Sequence, residues 1–399
     1  MKNVILLTID TLRKDALGCY GGGNPTPFID SIQDKCVRFT RAYSCGPYTQ
    51  AAFPGILTSS YYLEYGRQKV LSEKRVLISE ALTTTGITTA GFHSNPYLSA
   101  YFGWNRGWDV FYDSMEDEVD DKVPYIKAGE INKKVAAWLS SHIGAGEYGP
   151  FFLWVHYMDV HEPYVPERKY IDMTDPSISL NEEEMFRLFK DVVLKRDVSD
   201  KGTVELLRKL YGAHIREIDD AVREFFGILE QCNVLKDSAI VITSDHGDEF
   251  GEHGGVSHDG KMYSELVNVP LLIYEPSREK SEVSDLLVST LDIPPTILYL
   301  FGLNAVDAFE GCSLLPLQGY PIKGVFGEAV DKHGSHEKGE EKEVHYYCEG
   351  NLKIIYCETD DSWELYDINS DPQELNNIIQ TSPGAEPMKQ KLTPRVRRY

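Results

Sequence analysis

The chain has 399 residues, with 40 basic side chains against 62 acidic ones and a formal charge of −22. A hydrophobic share of 42%, including 11% aromatics, can fill a large core, which excludes a disordered or collagen-like chain. The acidity excludes a protein that replaces counterions along a nucleic acid, and no uncharged stretch reaches the roughly 20 apolar residues of a membrane-spanning helix.

The first apolar run, Val4–Ile9, predicts a buried strand that ends on Asp10. That acid interrupts the run and no small-residue cleavage site follows, so the start reads as fold rather than leader, and a cytoplasmic protein is expected. Helical patterns follow at Thr26–Lys35 and Leu77–Thr85, then a strand at Thr88–His93. Residues 113–123 form an acidic insertion, read as a solvated face or a loop over a cleft. A helix is predicted at Glu130–His142, a strand at Phe151–Tyr157, a long helix at Gly202–Cys232, and strands at Ala239–Thr243 and Pro270–Tyr274. A helix at Ile293–Phe301 and a strand at Gly324–Ala329 precede three short strands at Glu343–Cys348, Leu352–Cys357 and Trp363–Tyr366, with a further helix expected after Pro372. Strands alternating with helices, several without in/out alternation, predict an α/β fold whose mostly parallel sheet is covered on both faces. The last short strands predict a small antiparallel unit on its edge. Residues 331–342 and 381–399 read as mobile from their polar, Gly- and Pro-containing composition. The seven cysteines are scattered without a C-x-x-C pair, which predicts reduced thiols.

Parallel α/β sheets bind ligands beyond the carboxyl ends of their strands. Asp10 follows the first strand, Ser244-Asp245-His246 follows Ala239–Thr243, and Asp159-Val160-His161-Glu162 follows Phe151–Tyr157. Any one of these alone reads as a turn or cap. Together, Asp10, Asp245 and His246 offer a divalent ion two hard oxygens and one nitrogen. Thr49 sits where a loop runs into a helix start, a place that favours an alkoxide or a bound oxyanion. A Thr there is also an ordinary N-cap, and the pattern leaves both readings open.

The motifs in order resemble a sulfatase-like member of the alkaline phosphatase superfamily along nearly the whole chain. They include Ile9-Asp10-Thr11-Leu12-Arg13, Thr26-Pro27-Phe28-Ile29-Asp30, Gly107-Trp108-Asp109, His161-Glu162-Pro163-Tyr164, Thr243 to Gly255 continuing into Lys261-Met262-Tyr263, and Glu364-Leu365-Tyr366-Asp367. The resemblance implies a three-layer α/β/α sandwich with a catalytic domain over residues 1–320, a C-terminal α+β subdomain over 321–380 and a flexible tail over 381–399. It also implies a metal-bound nucleophile attacking a phosphate or sulfate ester in line.

The chain departs from the family at informative positions. The formylglycine motif C/S-x-P-x-R is imitated by Cys45-Gly46-Pro47, but its fifth position is Thr49 rather than Arg. In the family the nucleophile lies nine residues before the Thr of a Leu-Thr-Gly-like turn. Counted back from Leu57-Thr58-Ser59, that position is Thr49, and Cys45 falls four residues too early. Thr11 stands in place of the second Asp of the sulfatase metal pair, His246 where some sulfatases have Asn, and the Lys-x-x-His pair expected near Phe92–Asn95 is missing.

These residues predict a hydrolase of phosphate mono- or diesters acting through a phosphothreonine at Thr49. Asp10, Asp245, His246 and Thr49 would hold one divalent ion, Mn²⁺ or Zn²⁺ in preference to Ca²⁺. His161, His258 and Lys261 would bind the transferred group or assist the leaving group, although Ser257–Lys261 also reads as a plain polar lead-in to a helix. Glu252 and His253 read as braces of the loop. A second ion held by Asp159, His161 and His258 is the alternative to a single one. Unmodified sulfatase activity, a phosphoryl transferase and a non-catalytic binding protein are the competing functions. The expected partner is a small-molecule phosphate or sulfate ester, with no nucleic acid or membrane.

Overall fold

The computed structural model describes residues 2–66, 70–120, 122–144, 148–330 and 342–396. Its strands are β1 (Asn3–Ile9), β2 (Cys36–Tyr43), β3 (Thr88–His93), β4 (Val110–Tyr112), β5 (Phe151–Tyr157), β6 (Ser238–Thr243), β7 (Glu249–Phe250), β8 (Val256–Ser257), β9 (Asn268–Tyr274), β10 (Glu282–Ser289), β11 (Val325–Val330), β12 (Glu343–Glu349), β13 (Leu352–Cys357) and β14 (Ser362–Asp367). The large sheet has the order β10-β2-β9-β6-β1-β5-β3-β4, and β9 alone runs against the others.

Burial on both faces explains why its central strands lack alternation. Ile5, Leu7 and Ile9 of β1 enter one core with Ile131, Val135 and Leu139 of the helix Ala128–Ile143 and with Leu207, Ile218 and Phe225 of the helix Lys201–Gln231. Val4 and Leu6 enter the other, with Phe53, Ile56 and Leu57 of the helix Thr49–Thr58 and Ile293 and Ile297 of the helix Ile293–Leu300. The three-layer α/β/α sandwich is the observed fold.

Three strands of the large sheet escaped the sequence reading, as did the two-residue strands β7 and β8. β2 carries Arg38 and Arg41 and is only half buried on one face, the edge strand β10 begins with exposed Glu282 and Val283, and β4 spans three residues. The loop region 162–200 also holds two short helices, Arg168–Thr174 and Glu182–Leu188.

The second sheet, β11-β12-β13-β14, is antiparallel throughout. It grips the loop that leads into the helix Thr49–Thr58. The Tyr346 hydroxyl donates to the Ser44 carbonyl at 2.6 Å, the Tyr48 hydroxyl to the Val330 carbonyl at 3.1 Å, and the Glu328 N–H to the Cys45 carbonyl at 2.9 Å. The flexible tail expected over 381–399 is corrected for its described part. Ala385–Val396 is a helix, and Met388 and Leu392 are buried against Ile354 and Leu365 of the second sheet. Isolated apolar residues in a polar stretch were too sparse a signal to reveal it. The mobility expected of residues 331–342 falls, but for Lys342, outside the described residues.

Glu328 of β11 is fully buried, and only one of its carboxylate oxygens has a partner, the Leu63 N–H at 2.5 Å. Burial pushes its carboxyl from 4.5 up to about 8. The folded protein therefore holds this proton after the unfolded chain has lost it, so stability falls as pH rises from 4.5 toward 8. Glu328→Gln, which mimics the protonated form, should raise the thermal midpoint at pH 8 and leave it nearly unchanged near pH 4.5. Melting curves of both proteins across that range check the difference.

Candidate active site

The register of the parallel strands levels their carboxyl ends. Ile9 pairs with Tyr157, Thr8 with Thr243 and His93 with His156. Asp10, Ser244–His246, Met158–Glu162 and Ser94–Asn95 therefore leave the sheet at one rim. The helix Thr49–Thr58 starts at the same rim. Its N-cap is Tyr48, in extended conformation and without a side-chain capping bond. Thr49 is thus the first helical residue, and its hydroxyl is not spent as a cap.

Asp10 is fully buried. Its Oδ2 accepts from Asn95 Nδ2 at 2.7 Å and lies 3.3 Å from His156 Nε2. Burial opposes its charge, but the adjacent His156 and the imidazoles of His161 and His246 hold its carboxyl below the ordinary range. Asp245 goes the other way, raised well above its usual value by burial and by the charge of Asp10. Its Oδ1 accepts the His246 N–H at 2.9 Å and the Thr11 N–H at 3.3 Å. Thr11 makes that second contact from the left-handed region, φ 54, a strained conformation for a β-branched residue. His246 Nδ1 lies 3.0 Å from the Gly247 carbonyl, which can only accept, so Nδ1 carries the hydrogen and Nε2 keeps its lone pair. Burial, the largest influence on this ring, lowers its pKa and favours that neutral form.

Asp10 Oδ1, Asp245 Oδ2 and His246 Nε2 are all buried without a hydrogen-bond partner among the described residues. His246 Nε2 stands 3.6 Å from Asp10 Oδ1 and 3.4 Å from Asp245 Oδ2. Orphaned buried polar atoms are costly, and a divalent cation satisfies all three with an oxygen–oxygen–nitrogen donor set. The residues present fit such an ion. Thr49 is linked to them through Asn95, whose Nδ2 also donates to Thr49 Oγ at 3.3 Å.

A second group adjoins the first. One ligand atom from each of His161, Glu162 and His258 lies within 4.8 Å of the others, and the His258 ring is centred 4.4 Å from that of His246. Glu162 Oε2 is another buried atom without a partner. His258 Nδ1 lies 2.8 Å from Asp248 Oδ1. Burial opposes protonation of His161, yet Glu162, Asp10 and Asp248 raise it to about 9, whereas burial and the neighbouring imidazoles push His258 down to about 3.

Two neighbouring residues have partners outside the cluster. The Lys261 ammonium donates to Glu249 at 2.7 Å and to the His253 carbonyl at 3.0 Å, because the β7–β8 hairpin folds it back onto Glu249. Asp159 does not join the two histidines in a ligand group; its carboxylate accepts the Ala128 N–H at 2.8 Å at the start of a helix, and Glu162 occupies that place. Glu252 and His253 are placed as braces, Glu252 on Arg13 and Arg208 and His253 on Glu265. The insertion 113–123 contributes Glu118, Val119, Asp120, Lys122 and Val123 to the wall of a cavity of about 620 Å³ that also touches Asp159. Cys45 is buried 3.4 Å from the Thr290 hydroxyl, and burial pushes its thiol up to about 11. Asn95 and His156 carried no motif signal; Asn95 follows β3 by two residues, where a search of strand ends meets it, whereas His156 lies inside β5.

A strand-end carboxylate and imidazole cluster on this sandwich defines a hydrolase of sulfate or phosphate esters, and the comparisons agree. The sulfatase family model matches residues 2–303, and the chain belongs to that family. A model for the C-terminal part of N-sulphoglucosamine sulphohydrolase matches residues 251–399. An arylsulfatase of Clostridium perfringens is 24% identical, over 94% of this chain and 90% of its own. Among solved structures, a phosphonate monoester hydrolase of Agrobacterium radiobacter superposes with a TM-score of 0.79 at 19% identity, covering 99% of this chain and 94% of that one. An enzyme in complex with its substrate D-glucosamine-2-N,6-O-disulfate gives the same TM-score at 20% identity, covering 99% and 96%. Among the described residues, no helix is long and apolar enough to cross a membrane.

Proposed function

We propose that this protein is a metal-dependent hydrolase of phosphate mono- or diesters in which Thr49 attacks in line and carries the phosphoryl group as a phosphothreonine. The observation that carries the reading is the bond from one amide nitrogen, Asn95 Nδ2, to both Asp10 Oδ2 and Thr49 Oγ. It puts the hydroxyl one hydrogen-bonding group away from a carboxylate of the cation site. Asp10, Asp245 and His246, with Thr49, would hold one ion, and the nitrogen donor favours Mn²⁺ or Zn²⁺ over Ca²⁺. A bound ion would lower the pKa of the Thr49 hydroxyl and offset charge on the transferred group.

Thr49 loses its proton to solvent, the Oγ–P bond forms, and the bond from phosphorus to the alcohol oxygen breaks. The departing oxygen takes a proton from His161, whose raised pKa keeps it protonated near neutrality. Water then attacks phosphorus, its proton passes to the neutral His161, the P–Oγ bond breaks, and Oγ takes a proton from solvent to restore the Thr49 hydroxyl. His258, whose ring centre lies 5.0 Å from that of His161, would hold an oxygen of the transferred group. His161, Glu162 and His258 would take the second ion if one is bound.

Family membership favours a second reading, sulfatase activity by an unmodified hydroxyl. Charge separates phosphate monoesters from phosphodiesters and sulfates. Asp10, Asp245, Asp248 and Glu162 surround the site, while the nearby cations Lys261 and Arg13 are tied to Glu249 and to Asp15 and Glu252. Such a site repels a dianion more than a monoanion. A panel of aryl phosphate monoesters, phosphodiesters and sulfates, assayed with Mn²⁺- and Zn²⁺-loaded protein, should show the monoanionic phosphodiester turned over fastest. Aryl sulfate turned over far faster than every phosphate ester would reject the phosphatase reading in favour of the sulfatase one. No turnover of any ester would leave a binding protein.

A further inference from the structure

The strand-end residue Asn95 stands in the segment where the family's Lys-x-x-His pair is missing, and its side chain is fully committed in a way that fixes its orientation. Its Oδ1 accepts the Tyr97 N–H at 2.9 Å, capping a short turn, so Nδ2 must face the other way. The two hydrogens on Nδ2 then match two acceptors, Asp10 Oδ2 at 2.7 Å and Thr49 Oγ at 3.3 Å. The backbone behind the amide is pinned as well, because His93 Nδ1 lies 3.1 Å from the Asn95 carbonyl. Asn95 is 1% exposed and Thr49 5%, so these bonds do not compete with bulk water.

We infer that Asn95 is a catalytic residue, an uncharged donor that stays on the Thr49 oxygen throughout the reaction. This rests on Thr49 being the nucleophile. The threonine oxygen has two lone pairs and gains a third when it loses its proton. One is occupied by Asn95 and one would go to the ion, so the third is the pair that forms the bond to phosphorus, and the amide helps to select the direction of attack. As charge gathers on Oγ the same N–H bond becomes charge-assisted and strengthens, which stabilises the transition state more than the resting hydroxyl. The second hydrogen holds Asp10 Oδ2, leaving Oδ1, the partnerless oxygen, to face the cation site. A lysine in this position would donate as well but would add a charge; the amide supplies the bond without changing the charge of the site.

The test uses Asn95→Asp, whose carboxylate can still accept the Tyr97 N–H but cannot donate, and Asn95→Ser as a smaller variant able to cap the same turn. Melting temperature and Mn²⁺ binding by calorimetry report folding and the cation site. Rapid quench with an aryl phosphodiester reports formation of the ester on Thr49. The inference predicts folded variants that bind Mn²⁺, a KM within a few-fold of the parent, and ester formation slowed about 10²–10³-fold, as for loss of one oxyanion donor. Unchanged ester formation in Asn95→Asp or Asn95→Ser, with the parent forming the Thr49 ester, overturns this inference alone and leaves Asn95 a turn cap. If the parent forms no ester on Thr49 while turning substrate over, the nucleophile reading fails and this inference falls with it.

Discussion

Thr49→Ala is expected to abolish ester turnover, with a loss on the order of 10⁴–10⁶ in kcat, the scale seen when a nucleophile is removed, while divalent-ion binding persists. The reasoning is local. Thr49 opens a helix whose residues are buried from Ala51 to Thr58, so deleting one hydroxyl and one methyl at its first position leaves the helix anchored. The cation donors Asp10, Asp245 and His246 come from other strands and keep their mutual spacing. Cys45→Ala is the matched control. Its sulfur is packed against Gly55, where an added Cβ would stand 2.6 Å from it, and its high pKa denies it a thiolate at neutral pH. Cys45→Ala should cost some stability and little activity. Kinetics on a phosphodiester, with calorimetric ion titration of both variants, checks the pair, and the reverse pattern would return the nucleophile to Cys45.

Asp245→Asn should have two effects of opposite sign. In the metal-free protein, burial and Asp10 raise the Asp245 carboxyl well above 3.8, so the folded state keeps a proton that the unfolded chain gives up. That linkage removes stability as pH rises above 3.8. An amide has no proton to lose, so the variant without metal should melt higher than the parent at neutral pH. With Mn²⁺ or Zn²⁺ added, the parent gains stability by mass action. The variant should gain almost none, because one of three converging donors is gone, and affinity should fall by more than the roughly 10–100-fold that even outer partners cost. Melting curves with and without ion, at pH 7, display both effects.

Strand ends were the readable part of this site. A run such as Val4–Ile9 stops at a charge, and a buried sheet leaves such a residue nowhere to go but the rim, so Asp10, Asp245 and His246 could be placed together from residue order alone. The edge of the sheet was less legible, since β2 and β10 mix polar with apolar residues without a clear period and resemble surface segments. Side-chain commitments were not legible at all. Whether Lys261 turns toward the cluster or onto Glu249 depends on a two-residue hairpin and a tight approach at Gly255, where an added Cβ would sit 2.6 Å from both groups. Asp159 and Glu162 are three positions apart, and only the backbone path after β5 decides that the first meets the Ala128 N–H and the second faces His258. Asn95 was passed over because a neutral amide among the strand-end polar residues does not announce its chemistry.

The most direct test of the central proposal is peptide mapping by mass spectrometry of metal-loaded protein quenched with acid during turnover of an aryl phosphodiester. A phosphoryl-containing adduct on the peptide carrying Thr49, absent from Thr49→Ala, is the predicted result. Sustained turnover with the adduct on another residue, or with none at any quench time, would contradict it.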